Sequence, residues 1–360
     1  MKNKHINQLD VFRGLAALSV CASHFGYNSF FYNYFGNVLF VQLFFTLSGF
    51  VIAYNYYSNL KNFNVFLKFT IKRFKRLYPL HFFFLLVFLI VEIVKYILYS
   101  KVNILPNNSS SIPFEYNNLK NFILNLFLLQ HFATELSFNN ASWSISVEMM
   151  LYITFGITLL IFKNKFLLIC FYLAYIIFFI LFLSTHYGDS LSIFAFYSGL
   201  YSFAVGFLFY LIFKNINFFF RSRIYIDLIF YTLILIFLYE IFYLHLIKSK
   251  YLYSLIFGLI FLFSCFLDKK FFLFKIFFNS FFIFLGKISY SIYMSHLLIF
   301  SIFNNVLIHI LKYQTKLDQG KIILDLDTFE ANFYTLIIYI LVIISSNFTY
   351  KKIEIKFYKK

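Results

Sequence analysis

Ten stretches of about 20 predominantly apolar residues run through this chain, and each is long enough to cross a bilayer as an α-helix. They cover residues 9–27, 36–56, 77–99, 142–162, 166–184, 191–213, 224–244, 251–267, 288–311 and 332–350. Of the 360 residues, 62% are hydrophobic and 12% are charged, which is more apolar side chain than a soluble domain can bury. The sequence therefore predicts an all-α fold, a polytopic membrane helix bundle.

An eleventh apolar segment, residues 119–132, is short, and the distribution of basic residues indicates whether it crosses. If it does not cross and the N-terminus is cytoplasmic, the cytoplasmic loops hold 22 Lys and Arg and the outer loops hold 8. If it crosses, the counts become 13 inside and 17 outside. The positive-inside rule favours the first arrangement. We therefore predict ten crossings, both termini in the cytoplasm, and a re-entrant or outer-leaflet helix at 119–132.

The rest of the composition indicates one membrane domain. The net charge of +17 suits loops that face anionic lipid headgroups, and no basic stretch has the globular context of a nucleic-acid module. The longest polar stretches, 100–118 and 312–330, are predicted to be outer loops, and the Lys- and Phe-rich stretch 268–287 an interfacial helix. We predict a single integral-membrane domain over residues 1–360, in contact with membrane lipids.

The first apolar stretch contains three ionisable residues, Asp10, Arg13 and His24. Arg13 and His24 are eleven residues apart, so on a helix they project from nearly one face with a rise of roughly 16 Å between them. Asp10 precedes Arg13 by three residues and can pair with it. For Arg13 alone, an equal alternative is that its side chain extends to the inner lipid headgroups and anchors the helix there without a role in a functional site. An ionisable residue inside the membrane is costly, so His24 indicates a functional site.

Further polar groups lie at the ends or inside of other apolar stretches. Arg73 and Arg76 are one turn apart at the start of the third crossing, where two guanidinium groups suit phosphates, although a positive-inside anchor is an equal alternative. Ser48 lies near the inner end of the second crossing, and Glu148 about two turns into the fourth. The ninth crossing has Tyr290 and Ser291 at a shallow position and His296 at a deep one.

These motifs, in this order, resemble the acyltransferase-3 family of integral-membrane acyltransferases. The matching residues are Asp10, Arg13, Gly14 and His24; Ser48, Gly49 and Phe50; Arg73, Arg76, Leu77 and Pro79; Trp143, Ser144, Ser146 and Glu148; and Ser289, Tyr290, Ser291, Tyr293 and His296. Two departures are visible. The family's closing Ile-Glu-x-Pro is "IEIKF" at 353–357, and His81 stands where an aromatic residue is usual.

The resemblance implies transfer of an acyl group, commonly acetyl, from cytoplasmic acyl-CoA to a hydroxyl of a glycan or glycolipid such as lipopolysaccharide. It places the protein in the bacterial inner membrane. Acyl-CoA is then a co-substrate and no cofactor is bound permanently. The eight histidines are scattered without a close pair at ligand spacing, so no metal site is expected.

Under this resemblance the polar groups receive roles. Arg13, Arg73 and Arg76 would bind the donor phosphates, and the pantetheine arm would follow the first helix to His24, which acts as general base or transient acyl carrier. Glu148 would orient His24, and His296 would donate to the developing oxyanion. Donor-binding residues would further include Ser48, Tyr290 and Ser291; supporting residues would be Asp10, Trp143, Ser146 and His296.

Two other functions remain open at this point. The same buried charges would suit a membrane carrier or flippase for a lipid-linked sugar or an anion, although the lack of an internal repeat weighs against it. A non-catalytic partner in an envelope assembly would tolerate alanine at Arg13 and His24. Consumption of the acyl donor separates an enzyme from a carrier.

Overall fold

The computed structural model describes residues 5–36, 39–102, 112–133, 137–185, 191–216, 223–244, 253–269, 272–318 and 321–358. The first nine α-helices are α1 (Asn7–Phe25), α2 (Leu39–Tyr56), α3 (Phe63–Val102), α4 (Leu119–Leu126), α5 (Trp143–Ile161), α6 (Lys165–Thr185), α7 (Leu191–Ile216), α8 (Arg223–Tyr239) and α9 (Tyr253–Ser264). They are followed by α10 (Phe272–Phe277), α11 (Ser280–Lys287), α12 (Ser289–Asn305), α13 (Thr328–Thr349) and α14 (Ile355–Tyr358). The predicted all-α polytopic class is confirmed.

Each of the ten predicted crossings contains a helix. Within the described ranges, eight helices are long and apolar enough to cross a membrane. The other two predicted crossings contain α1, which carries Asp10 and Arg13, and α9, a shorter apolar helix whose preceding residues 245–252 lie outside the description. The eleventh segment forms α4, which has eight residues and is about 12 Å long, and so is too short to cross the membrane as a helix.

The predicted loops contain more structure than the sequence indicated. The stretch 312–330 holds an antiparallel hairpin of β1 (Thr315–Asp318) and β2 (Lys321–Leu324), with Thr315 opposite Leu324. The stretch 268–287 holds two short helices, α10 and α11, in place of one interfacial helix, and residues 270–271 lie outside the description. Of the predicted outer loop 100–118, residues 103–111 are also outside it.

The chain divides into two compact units. Unit 1 contains Met1–Ala16, Val38–Arg73 and Val147–Lys287; unit 2 contains Ala17–Asn37, Phe74–Ser146 and Ile288–Lys360. Three of the five boundaries fall inside α1, α3 and α5. The assignment of residues 1–360 to a single domain stays a prediction.

Unit 1 is built around close contact of α2 with α7. A Cβ atom on Gly49 would overlap the carbonyl oxygen of Phe203, and one on Gly206 would overlap the carbonyl oxygen of Thr46. Glycine at both positions lets the two backbones touch, as small residues do between membrane helices.

A buried polar trio joins α2, α7 and α9 in the same unit. The Ser202 hydroxyl donates to Gln42 Oε1 at 2.6 Å and lies 2.8 Å from the Ser254 hydroxyl. All three side chains are buried, so each hydrogen bond replaces one that water would otherwise make. The trio fixes the register of three otherwise apolar helices.

Unit 2 is organised around α12. The Tyr290 hydroxyl donates to the carbonyl of Leu77 on α3 at 2.5 Å, and Ser295 and Ser346 join α12 to α13 with hydroxyls 3.0 Å apart. The Tyr339 hydroxyl on α13 donates to the carbonyl of Leu18 on α1 at 3.1 Å. These bonds hold the last turns of α1 beside α12.

Candidate active site

Two histidines meet in unit 2. His24 lies in the last turn of α1 and is partly exposed, whereas His296 lies within α12 and is fully buried. Their ring centroids are 5.2 Å apart, and the ring planes are inclined by 43°. The structure thus brings together two residues that the sequence analysis assigned to one site from different helices.

The hydrogen bond of His296 fixes which of its ring nitrogens donates. Nδ1 lies 2.7 Å from the carbonyl oxygen of Tyr293, and because a carbonyl only accepts, Nδ1 must donate. In the neutral ring Nε2 is then an acceptor, and this atom is buried without a hydrogen-bond partner among the described residues. The predicted donation from His296 to an oxyanion would therefore require a protonated ring.

The start of α5 is bound to α12 through polar side chains. The Tyr293 hydroxyl donates to the carbonyl of Ala141 at 2.8 Å and lies 2.6 Å from the Ser144 hydroxyl. The Ser146 hydroxyl is fully buried and donates to the carbonyl of Leu128 at 2.6 Å, which gives this predicted supporting residue a packing partner. Trp143, the other supporting residue here, is partly exposed at the first position of α5.

Glu148 lies in unit 1, where two hydroxyls hold it. Its Oε1 accepts from the Ser48 hydroxyl at 3.2 Å and from the Tyr152 hydroxyl one turn later on α5. Two predicted site residues, Ser48 and Glu148, are therefore in contact. The orientation of His24 by Glu148 stays a prediction, since the two residues belong to different units.

Arg73 is buried among aromatic rings. The residue is 6% exposed, and Nη2 donates to the Tyr56 hydroxyl at 2.5 Å. The guanidinium carbon lies 4.9 Å from the ring centroid of Tyr56 and 5.9 Å from those of Phe69 and Tyr152. Cation–π contacts thus hold the guanidinium, while Arg76 on the next turn is partly exposed. Binding of a donor phosphate by Arg73 stays a prediction.

The opening motif of α1 forms a small charged cluster in unit 1. The carboxylate of Asp10 lies 3.4 Å from Arg13 Nη1, which is the pairing that the three-residue spacing predicted. Its other oxygen lies 2.5 Å from His5 Nε2. The Asp10 side chain is 7% exposed and that of Arg13 is 20% exposed, so the cation retains access to solvent or to a ligand.

The two shallow polar residues of α12 bind protein groups in unit 2. Tyr290 donates to the Leu77 carbonyl, and the Ser291 hydroxyl donates to Glu354 Oε2 at 2.9 Å. Glu354 is the acidic residue of the closing "IEIKF" segment. The missing proline of that segment therefore does not prevent this carboxylate from pairing with α12. The role of Tyr290 and Ser291 in donor binding stays a prediction.

The family model of the acyltransferase-3 family, described as an acyltransferase domain, matches residues 6–350. The chain belongs to this family. No curated protein and no solved structure matches it. The acyltransferase is a multi-pass membrane enzyme, and the match extends from the Asp10 motif through the His296 motif. In the part of the acyltransferase that the structure describes, no group of three or more His, Cys, Asp or Glu side chains is arranged to hold a metal ion.

Sequence reasoning gave no role to several polar residues around these sites. Tyr152 follows Glu148 by four residues, a spacing that places both on one helix face, so this contact was predictable. Tyr293 and Ser144 belong to the quoted family motifs, but their mutual contact has no local signal. Asn139 donates to the backbone carbonyl of Met294 at 2.9 Å, a partner that no residue pattern indicates.

Burial of Arg73 leads to a stability prediction for this acyltransferase. Arg73→Lys should lower the free energy of unfolding by about 1–2 kcal/mol, because lysine lacks the planar group that contacts three rings and the Tyr56 hydroxyl. The change is measured as the midpoint of thermal unfolding of the detergent-solubilised protein. Size-exclusion chromatography after heating reports the fraction that stays folded at each temperature. Arg76→Lys is the matched control and should leave the midpoint unchanged, since this side chain is partly exposed. Equal effects of the two variants would contradict a structural role specific to Arg73.

Proposed function

We propose that this acyltransferase moves an acyl group, acetyl in the simplest case, from cytoplasmic acyl-CoA to a hydroxyl of a cell-surface glycan or glycolipid, in the bacterial inner membrane. The observation that supports it most is the partly exposed His24 against the buried ring of His296, at 5.2 Å between centroids. A titratable ring that is accessible and held by a second ring suits proton transfer to and from a reacting hydroxyl.

The chemistry assigned to His24 is general base catalysis. The neutral imidazole takes the proton of the acceptor hydroxyl while the hydroxyl oxygen attacks the thioester carbonyl. The new carbon–oxygen bond forms, the carbon–sulfur bond breaks, and the proton passes from the imidazolium to the departing CoA sulfur. In the second form of this mechanism, His24 attacks the thioester carbonyl, the carbon–sulfur bond breaks and CoA leaves as the thiolate. The acceptor hydroxyl then attacks the acyl-imidazole, the carbon–nitrogen bond breaks, and the hydroxyl proton passes through the imidazole to the CoA sulfur.

The donor phosphates are assigned to cations that retain some exposure. Arg13 and Arg76 are partly exposed, whereas Arg73 is nearly fully buried. Arg13 and His24 lie on one continuous helix, and eleven residues correspond to a rise of roughly 16 Å, which suits an extended pantetheine arm. Phosphate binding is then proposed for Arg13 and for Arg76, each by itself, and Arg73 is given a packing role in unit 1.

Donor consumption tests the proposal. The purified protein in lipid nanodiscs is given acetyl-CoA and a glycoside acceptor, and released CoA thiol is measured over time. We expect thiol release above that of nanodiscs without protein, together with a mass increase of surface glycans in cells that express the gene. A carrier would release no thiol, and this result would refute the proposed function.

A further inference from the structure

Seven polar side chains in unit 2 each have one buried atom without a hydrogen-bond partner in the described part of the chain, and hydrogen bonds connect the segments of four of them. The four residues are Gln130, Asn139, Ser142 and His296, with Oε1, Oδ1, Oγ and Nε2 as the unpartnered atoms. None of the four residues is more than 6% exposed. Buried polar atoms normally find a partner, so four together need an explanation.

The four residues belong to one connected network. Gln130 Nε2 donates to the Ser142 carbonyl at 2.8 Å, and the Ser142 amide donates to the Asn139 carbonyl at 2.8 Å. Asn139 Nδ2 in turn donates to the carbonyl of Met294, two residues before His296 on α12. The network therefore leads from the segment before α5 to the ring that contacts His24.

The known partners fix the chemical character of the free atoms. The amide nitrogens of Gln130 and Asn139 both donate to carbonyls, so rotating either amide would place oxygen against oxygen. Their free atoms are therefore oxygens, which only accept. The free Nε2 of neutral His296 also accepts, because Nδ1 donates to Tyr293. Three acceptor atoms and the Ser142 hydroxyl are thus without a hydrogen-bond partner among the described residues.

Because these atoms mainly accept hydrogen bonds, they indicate which class of ligand the network can bind. A phosphate or carboxylate offers acceptors and would be repelled by three acceptors, and an acyl chain offers no polar group. A sugar ring offers several hydroxyls, each able to donate one hydrogen bond. The network therefore suits the acceptor substrate and does not suit the charged part of acyl-CoA.

We infer that Gln130, Asn139, Ser142 and His296 form a subsite for a saccharide ring beside His24. This inference rests on the proposed function and specifies its acceptor side. The hydroxyl donors of the ring satisfy the free acceptors, and one remaining hydroxyl is then presented to His24. Such a subsite selects among acceptor substrates. A substrate that lacks these hydroxyls leaves the buried oxygen and nitrogen atoms of the subsite without hydrogen bonds, which weakens its binding.

Ser142→Ala tests the subsite with little disturbance, because the Ser142 hydroxyl has no partner in the described structure and its backbone hydrogen bonds remain. Acetyl transfer from acetyl-CoA is measured in nanodiscs with octyl β-glucoside or octanol as acceptor. We expect the wild type to prefer the glucoside, and the variant to show an increase in KM for the glucoside of about 3- to 10-fold. Its KM for acetyl-CoA, its rate with octanol and its thermal midpoint should stay unchanged.

Ser295→Ala is the matched control, since Ser295 is a buried serine beside His296 whose hydroxyl contacts Ser346. It should lower the thermal midpoint and leave the KM for the glucoside unchanged. If the wild type transfers to octanol as readily as to the glucoside, or if Ser142→Ala changes both acceptors equally, the subsite is wrong while the proposed function stands. If acetyl-CoA is never consumed, both are wrong.

Discussion

Replacing His24 by glutamine should reduce the rate of acyl transfer by about 10³-fold, within the range that removal of a general base produces. Glutamine is similar in size to histidine and retains a hydrogen-bonding group, but it cannot take up the proton of the acceptor hydroxyl. His24 is partly exposed at the end of α1, so the substitution should leave the thermal midpoint unchanged. Thiol release from acetyl-CoA with a glycoside acceptor measures the rate, and the KM for acetyl-CoA should change little.

His309→Gln is the control for this variant. His309 is an exposed histidine in the π-helical turn Val306–Ile310 that follows α12, and the proposed chemistry does not use it. We expect full activity from the control. Activity of His24→Gln within ten-fold of the wild type would remove both the base and the acyl-carrier role, because glutamine serves neither.

Helix positions were predictable because membrane crossing imposes a minimum apolar length on the sequence. The third helix shows the limit of this criterion. The apolar stretch predicts 77–99, but α3 begins at Phe63, because the five basic residues at 68–76 lower hydropathy without opposing helix formation. Pro79 lies inside α3, a position that membrane helices tolerate.

The candidate site was predictable only where its contacts are local. The pairs Asp10 with Arg13 and Glu148 with Tyr152 follow from spacings of three and four residues on one helix. The contact of His24 with His296 joins two helices far apart in the chain, and helix spacing does not specify which helices pack together. The burial of Arg73 depends on Tyr56 and Tyr152 from two other helices, so its sequence neighbours indicated only a basic segment.

Gly206→Ala should prevent stable folding, at a cost of about 3–5 kcal/mol, because the new methyl group would meet backbone and not side chain. A Cβ at Gly206 would overlap the Thr46 carbonyl oxygen and lie 2.9 Å from the Phe50 amide nitrogen. Neither atom can rotate away, so α2 and α7 would have to separate. Separation would also stretch the 2.6 Å hydrogen bond between Ser202 and Gln42. Size-exclusion chromatography of a fluorescent fusion should show loss of the monodisperse peak.

Gly199→Ala on the same helix separates this backbone overlap from the general effect of replacing a glycine. A Cβ at Gly199 would lie 2.8 Å from Val147 Cγ1 and 3.3 Å from the Phe45 ring, so its nearest neighbours are side-chain atoms and not backbone. Alanine favours a helix over glycine by about 1 kcal/mol, so this control should retain the monodisperse peak and a midpoint close to that of the wild type. The same helix preference acts at Gly206 and opposes the predicted loss. If Gly206→Ala folded as well as Gly199→Ala, α2 and α7 would not be in backbone contact, and the buried trio of Gln42, Ser202 and Ser254 would need another explanation.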